Sequence, residues 1–255
     1  MNKITWIIIA VVAAVLLVAA LGLSMNDDGA KDPEYVLSAN INGSDYTYAE
    51  MMDEFGTKTV DGKEGVSLSA MVNDTALANP ETWTYVIKAD DGYAMAVNWT
   101  VMQNGIVTLV EETDEDTGNE TAYLMTVFPD MPSGYKVKNF ATVIKAQLTP
   151  VVLNGLEYYL DYMPKRVEEK TVAYNDTYSA TGWSLSDMVN YTGLANPASH
   201  NYTIYGDDGY NKTVTWDAMM DGVLIDDTVK TVFSEDSGFG KTKYMIKYVV
   251  TIVVE

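Results

Sequence analysis

Few side chains in this 255-residue sequence could carry chemistry. There is no cysteine, one histidine (His200) and one arginine (Arg166). Without a thiol there are no disulfides, no thiolate metal site, no cysteine nucleophile and no lipid-bearing cysteine anchor. A lone histidine does not hold a metal without partners, so His200 reads as an incidental surface residue. The remaining candidates are carboxylates. Asp90-Asp91-Gly92-Tyr93 and Asp207-Asp208-Gly209-Tyr210 each place two acids together, and hard cations such as Ca²⁺ seek oxygen ligands. Two adjacent acids supply too few ligands, so both segments read as hairpin turns whose Gly takes unusual backbone angles. The acidic run at residues 111–116 does not match the spacing of a calcium loop and reads as a solvated hairpin tip. No carboxylate pair stands out for hydrolysis among 36 acidic residues. No G-x-S-x-G, phosphate-binding glycine loop or H-E-x-x-H occurs. No catalytic residue and no metal ligand is assigned.

Charge narrows the partners. The formal net charge is −20. Nucleic-acid binding needs basic surface to neutralise phosphates, so that class is excluded. Arg166 is alone among 16 basic residues, which leaves no arginine cluster for bidentate anion recognition.

The elements that would position these residues come in duplicate. Residues 65–107 and 182–224 align at an offset of 117 without a gap, and 22 of the 43 positions are identical. Two copies of one module are therefore expected. Ser67 and Ser184 read as helix N-caps, followed by an apolar stripe at Leu68, Met71, Val72 and Leu185, Met188, Val189. Asn79-Pro80 and Asn196-Pro197 are read as the helix stops. Strands follow at residues 83–89 and 202–205, then the acidic turns. On the returning strands Val97 and Trp99, or Val214 and Trp216, alternate toward the core. Each copy closes on a β-rich stretch. Pro150 and Gly155 bound a short connector at residues 148–155. The fold class is α+β, mainly β. The domains are residues 31–149 and 150–255, behind an N-terminal segment at 1–30.

That segment has its own chemistry. Residues 4–23 contain a single polar side chain, Thr5, and as a helix span about 30 Å, the thickness of a hydrocarbon core. Lys3 precedes the run, and Asn26, Asp27 and Asp28 follow it. The positive-inside rule then places the N-terminus in the cytoplasm and both modules outside. The run exceeds a signal-peptide core and lacks an A-x-A cleavage site, which favours an uncleaved anchor over a cleaved signal. No Gly processing site follows Lys3, which ranks a pilin-type helix low. Export agrees with eight N-x-S/T sequons at Asn42, Asn73, Asn98, Asn119, Asn175, Asn190, Asn201 and Asn211. A cysteine-free, arginine-poor glycoprotein suits an archaeal cell surface; eukaryotic ectodomains of this size usually carry disulfides.

The motif order resembles the sulfite-oxidase-type molybdopterin-binding oxidoreductase domain. In that family a G-V-P-L-S-D-L-L helix precedes S-D-G-Y and, later, L-V-V-P-G and G-Y-K-x-V-K-W. The first copy offers Gly65-Val66-Ser67-Leu68-Ser69, Asp91-Gly92-Tyr93, Val127-Phe128-Pro129 and Gly134-Tyr135-Lys136-Val137-Lys138. The second offers Gly182-Trp183-Ser184-Leu185-Ser186-Asp187, Asp208-Gly209-Tyr210 and Met245-Ile246-Lys247-Tyr248. The match covers about 100 residues in each copy. The resemblance implies that Tyr135, Lys136 and Lys138 are the remnant of a pterin site. The departures are decisive for activity. The family's metal-binding cysteine and the half-domain that bears it are missing, and Asn139 replaces the Trp of V-K-W. A fold does not carry its function once the site is gone.

The sequence thus describes a membrane-anchored, extracellular glycoprotein with two non-catalytic sulfite-oxidase-like domains and no cofactor. A binding or structural role at the cell surface is expected, with a protein or surface polymer as partner. The alternatives are a molybdopterin-dependent oxidoreductase subunit and a surface filament or envelope-layer subunit.

Overall fold

Asn42-Gly43 opens the first copy. Both residues hold positive φ, 50° and 97°, which suits a two-residue hairpin between β1 (Ser38–Ile41) and β2 (Ser44–Thr47). Thr47 then caps α1 (Tyr48–Phe55). Its hydroxyl accepts from the Glu50 N–H, while the Glu50 carboxylate accepts from the Thr47 N–H at 2.7 Å. A hairpin of β3 (Thr57–Val60) and β4 (Lys63–Ser67) leads into α2 (Leu68–Asp74), capped by Ser67 and burying Leu68, Met71 and Val72. The chain continues through β5 (Thr84–Ala89), β6 (Ala94–Asn98), α3 (Trp99–Met102), β7 (Ile106–Thr113), β8 (Glu120–Val127) and β9 (Phe140–Ala146). These strands form two sheets, ordered β2-β1-β9-β5-β6 and β3-β4-β7-β8. In this computed structural model the described residues are 37–114, 117–226 and 228–255. The expected membrane helix at residues 4–23 and most of the N-terminal segment lie outside them.

The second copy repeats the plan. Its elements are β10 (Val151–Leu153), β11 (Leu156–Tyr158), β12 (Glu169–Asn175), β13 (Tyr178–Ser184), α4 (Leu185–Tyr191), β14 (Asn201–Gly206), β15 (Asn211–Thr215), α5 (Trp216–Met220), β16 (Gly222–Ile225), β17 (Lys230–Phe233) and β18 (Val249–Val254). The sheets are β11-β10-β18-β14-β15 and β12-β13-β16-β17, the same orders as in the first copy. Even the irregularities recur. The β5–β9 and β14–β18 ladders each slip by a residue near their ends, opposite Asn139 and Tyr248, which both hold φ near 50°. The architecture is therefore α+β and mainly β, as the patterning predicts.

Several local expectations are corrected. The stretch at 148–155 is not a plain connector, because β10 lies within it and pairs in parallel with β18. The helices stop at Thr75 and Thr192, before the Asn-Pro pairs; Asn79 and Asn196 instead take left-handed φ and open short 3₁₀ turns. Trp99 and Trp216 do not continue the strands. Each starts a short helix, is half-buried, and packs on Tyr85 or Tyr202 at 5.6 and 6.0 Å. Val97 and Val214 are buried as expected. The second copy also lacks a counterpart of α1, with a 3₁₀ turn at Leu160–Tyr162 instead. Pro164 in that stretch is incompatible with a helix interior.

One apolar core runs through both copies. Phe128, of the Val-Phe-Pro motif, is fully buried, and its counterpart Phe233 is too. Glycine is required beside each ring. A Cβ at Gly105 would overlap Phe128, and one at Gly222 would lie 2.7 Å from Phe233.

Candidate functional site

The residues of the resembled pterin site part company. Tyr135 ends a 3₁₀ turn, is 2 % exposed, and donates its hydroxyl to the Glu157 carbonyl of the second copy at 3.2 Å. Burial pushes its pKa far up. Lys136 is half-buried. Lys138 is exposed on the other side, 3.5 Å from Glu112 and 5.3 Å from the Tyr123 ring centre. Tyr123 and Glu112 both push its pKa up. Lys136 and Lys138 do not line the space next to Tyr135. The space beside Tyr135 measures about 50 Å³ and is lined by Asn98, Glu157 and Tyr159 among others. That admits a few waters at most. With Tyr135 buried, its hydroxyl given to Glu157, and so little space beside it, this donor set does not fit a pterin.

A seam between the copies occupies that place. Its centre is a group of tyrosines. Tyr135 stacks near Tyr191 at 6.1 Å, Tyr191 meets Tyr158 at 6.3 Å, and the Tyr158 hydroxyl donates to the Met188 carbonyl at 2.5 Å. The Tyr93 hydroxyl donates to the Gly134 carbonyl at 2.7 Å, and Lys165 lies 4.5 Å over the Tyr93 ring and 3.7 Å from Asp91. Tyr159 donates to the Glu157 carboxylate and covers Val86 and Ala96 on the first copy's sheet. Burial pushes Tyr93 up to about 12, and pushes Tyr158, Tyr159 and Tyr191 higher still. The Tyr191 hydroxyl lies against the Gly134 backbone without a well-aligned hydrogen bond.

Register locates the counterpart of each seam residue. Thr57 opposes Val66 as Glu169 opposes Trp183, so residues 44–57 and 156–169 correspond without a gap. Phe140 opposes Ala89 as Val249 opposes Gly206, which aligns 134–146 with 243–255. Tyr210 therefore matches Tyr93, and its hydroxyl donates to the Lys243 carbonyl at 2.9 Å just as Tyr93 donates to Gly134. The sequence misses the seam because it is tertiary. The available signal was divergence: Tyr159, Lys165, Arg166 and Tyr191 stand where the first copy has Thr47, Asp53, Glu54 and Asp74.

The acidic turns form as expected. Asp91 and Asp208 each accept from the N–H two residues on, at 2.8 Å, and Gly92 and Gly209 take φ of 87° and 81°. Among the described residues no group of three or more His, Cys, Asp or Glu is arranged to hold a metal. His200 is half-buried, with Nδ1 3.3 Å from the Glu255 carbonyl, beside an open hollow of about 170 Å³. Of the sequons, Asn73, Asn119, Asn175, Asn190, Asn201 and Asn211 are exposed. Asn98 caps α3 through its carbonyl, 2.9 Å from the Val101 N–H. Asn42 differs. Its Oδ1 accepts from Lys145 N–H at 2.9 Å, which fixes the amide orientation, and its Nδ2 is buried without a partner. No helix among the described residues is long and apolar enough to cross a membrane. Compared with family models, curated proteins and solved structures, the chain matches none of them.

Proposed function

We propose that this is a membrane-anchored surface glycoprotein whose two sulfite-oxidase-like modules form a non-catalytic binding or structural body. The observation that carries the non-catalytic reading is the seam. The second copy packs over Tyr135, one of the residues the family resemblance would give to a pterin, and takes its hydroxyl. Lys138 lies exposed beside Glu112 and does not line the space next to Tyr135. The apolar run behind Lys3 and the six exposed sequon asparagines support placement outside the membrane. Two measurements test the reading. Protein purified from its native membrane should give no pterin fluorescence after oxidation, and stoichiometric molybdenum or tungsten would revive the oxidoreductase. Protease added to intact cells should release both modules, and protection until lysis would overturn the orientation.

A further inference from the structure

We propose that the free end of the second copy docks head to tail onto the free end of the first copy of another molecule, through the same faces that join the copies within one chain. This supplies a partner for the binding role proposed above. A seam between two repeats uses one face of each and, among the described residues, leaves its counterpart unused on the other. On the second copy the unused face is unusually apolar for free surface. Tyr210 and Val253 are 44 % and 41 % exposed and stand at the places of the seam residues Tyr93 and Ile144; Tyr248, 55 % exposed, stands beside them at the place of Asn139, which is itself exposed. Tyr248 holds φ 51°, a conformation natural for Asn139 but strained for a bulky aromatic.

Two lysines of the second copy's face stand at places that meet carboxylate positions of the first copy's. Lys243 replaces Gly134, and Gly134 is the residue that meets Tyr191 across the seam. The first copy has Asp74 at the Tyr191 position, its carboxylate held by the Tyr46 hydroxyl at 2.7 Å. Lys212 lies 4.6 Å over the Tyr210 ring, as Lys165 lies over Tyr93. The first copy has Asp53 at the Lys165 position and Glu54 at the Arg166 position. Both acids sit in the last turn of α1, where no basic side chain offsets the negative helix end. Lys243 would thus meet Asp74, and Lys212 would offset both Asp53 and Asp208, the counterpart of the Asp91 that pairs with Lys165. The neighbouring sheet surface is more polar than at the internal seam. Thr203 and Thr213, their hydroxyls 2.7 Å apart, replace Val86 and Ala96, and Glu255, whose carboxylate accepts from Thr203 at 2.8 Å, replaces Ala146. The contact is therefore weaker than the internal seam and sensitive to salt. Asn211 stands at the place of Ala94, which packs in the seam cluster, so a glycan there excludes docking.

The test uses the full chain, purified in lipid nanodiscs, carrying Asn211→Gln. The absence of native cysteine makes cross-linking clean. A chain with Asp74→Cys and Lys243→Cys should form a disulfide ladder of dimers and higher species on oxidation. Each single variant should stay monomeric, and an equal mixture of the two should stop at dimer. A double variant that stays monomeric, or a single variant that dimerises by itself, overturns the proposal. Sedimentation provides a second arm that does not depend on the Asp74 site. Raising NaCl from about 50 to about 500 mM should weaken self-association about tenfold, as screening shortens. Lys212→Glu with Lys243→Glu, both on side chains at the surface, should abolish it. Association unchanged by salt and by the double reversal also overturns the proposal. Because the chain is purified, failure here leaves surface placement standing, and the protease test decides that separately.

Discussion

At the residue scale, the two copies run a controlled comparison. Gly134 is glycine because the Tyr191 ring leaves no room for a Cβ, not because of its backbone angle. Gly134→Ala should therefore cost about 1–3 kcal/mol by overpacking. Tyr191→Phe removes a buried hydroxyl that lacks a good partner, so it should be neutral or slightly stabilising. Together the two should cost less than their sum, and chemical denaturation of all four chains in a double-mutant cycle checks the coupling. Strict additivity would mean that the pair does not touch as described. The sequons give a second prediction at this scale. A sugar on Asn42 needs its Nδ2, which is buried although Asn42 lies in the β1–β2 turn. Glycopeptide mapping should find Asn42 bare while Asn73, Asn119, Asn175 and Asn190 carry glycan. Occupancy of Asn42 at the level of its exposed neighbours would show that this turn opens. The sequence shows eight equivalent motifs, because a sequon does not encode whether its amide faces solvent.

At the element scale, what was legible was local. The serine caps, the i, i+3, i+4 stripes and the Asp-Gly turns depend on residues within one turn of each other, and they form as read. What was not legible depended on neighbours distant in sequence. Trp99 and Trp216 read as inward strand residues, yet Asn98 and Thr215 end the strands and each Trp starts a helix. Because each ring is half-buried against one tyrosine, Trp99→Ala and Trp216→Ala should each cost about 2 kcal/mol, below the 3–5 of a fully buried ring. Thermal melts of the two variants should agree closely, and a large gap would break the equivalence of the copies. The tyrosine seam adds a pH dependence. These phenols have folded pKa values raised above 10 by burial, so the fold favours the protonated form. Their contribution is complete below pH 10 and is lost as pH rises through 10 toward 12 and above. Absorbance titration at 295 nm should show a set of tyrosines that ionise only with alkaline unfolding. Smooth titration of every tyrosine near pH 10 would contradict their burial.

At the scale of the whole molecule, duplication explains the architecture and divergence explains the assembly. A repeated module must cover the same apolar sheet face twice, and the two copies solve this differently. In the first copy Val86 and Ala96 lie under Tyr159; in the second the buried Thr203 pairs its hydroxyl with that of exposed Thr213 and with the Glu255 carboxylate. The duplication was plain in the sequence, and so was the α+β class. The tight joint was not, because its meaning lies in which side of the strand each Val or Thr occupies. The described part of the chain, from Leu37 onward, forms one compact unit with a core continuous across both copies. It should therefore unfold in a single transition, with equal calorimetric and van't Hoff enthalpies. Copying the second copy's own solution into the first provides the decisive variant. Val86→Thr with Ala96→Thr places at each site the residue its counterpart already carries, so each module should still fold. The seam, however, loses apolar contact and must bury two hydroxyls, a loss of about 1–3 kcal/mol if they pair with each other. Scanning calorimetry should then show a lower or split transition, with Tyr135 ionising earlier in the alkaline titration. An unchanged single transition would mean that apolar burial under Tyr159 does not couple the copies, and that the core shared around Tyr135, Tyr158 and Tyr191 does.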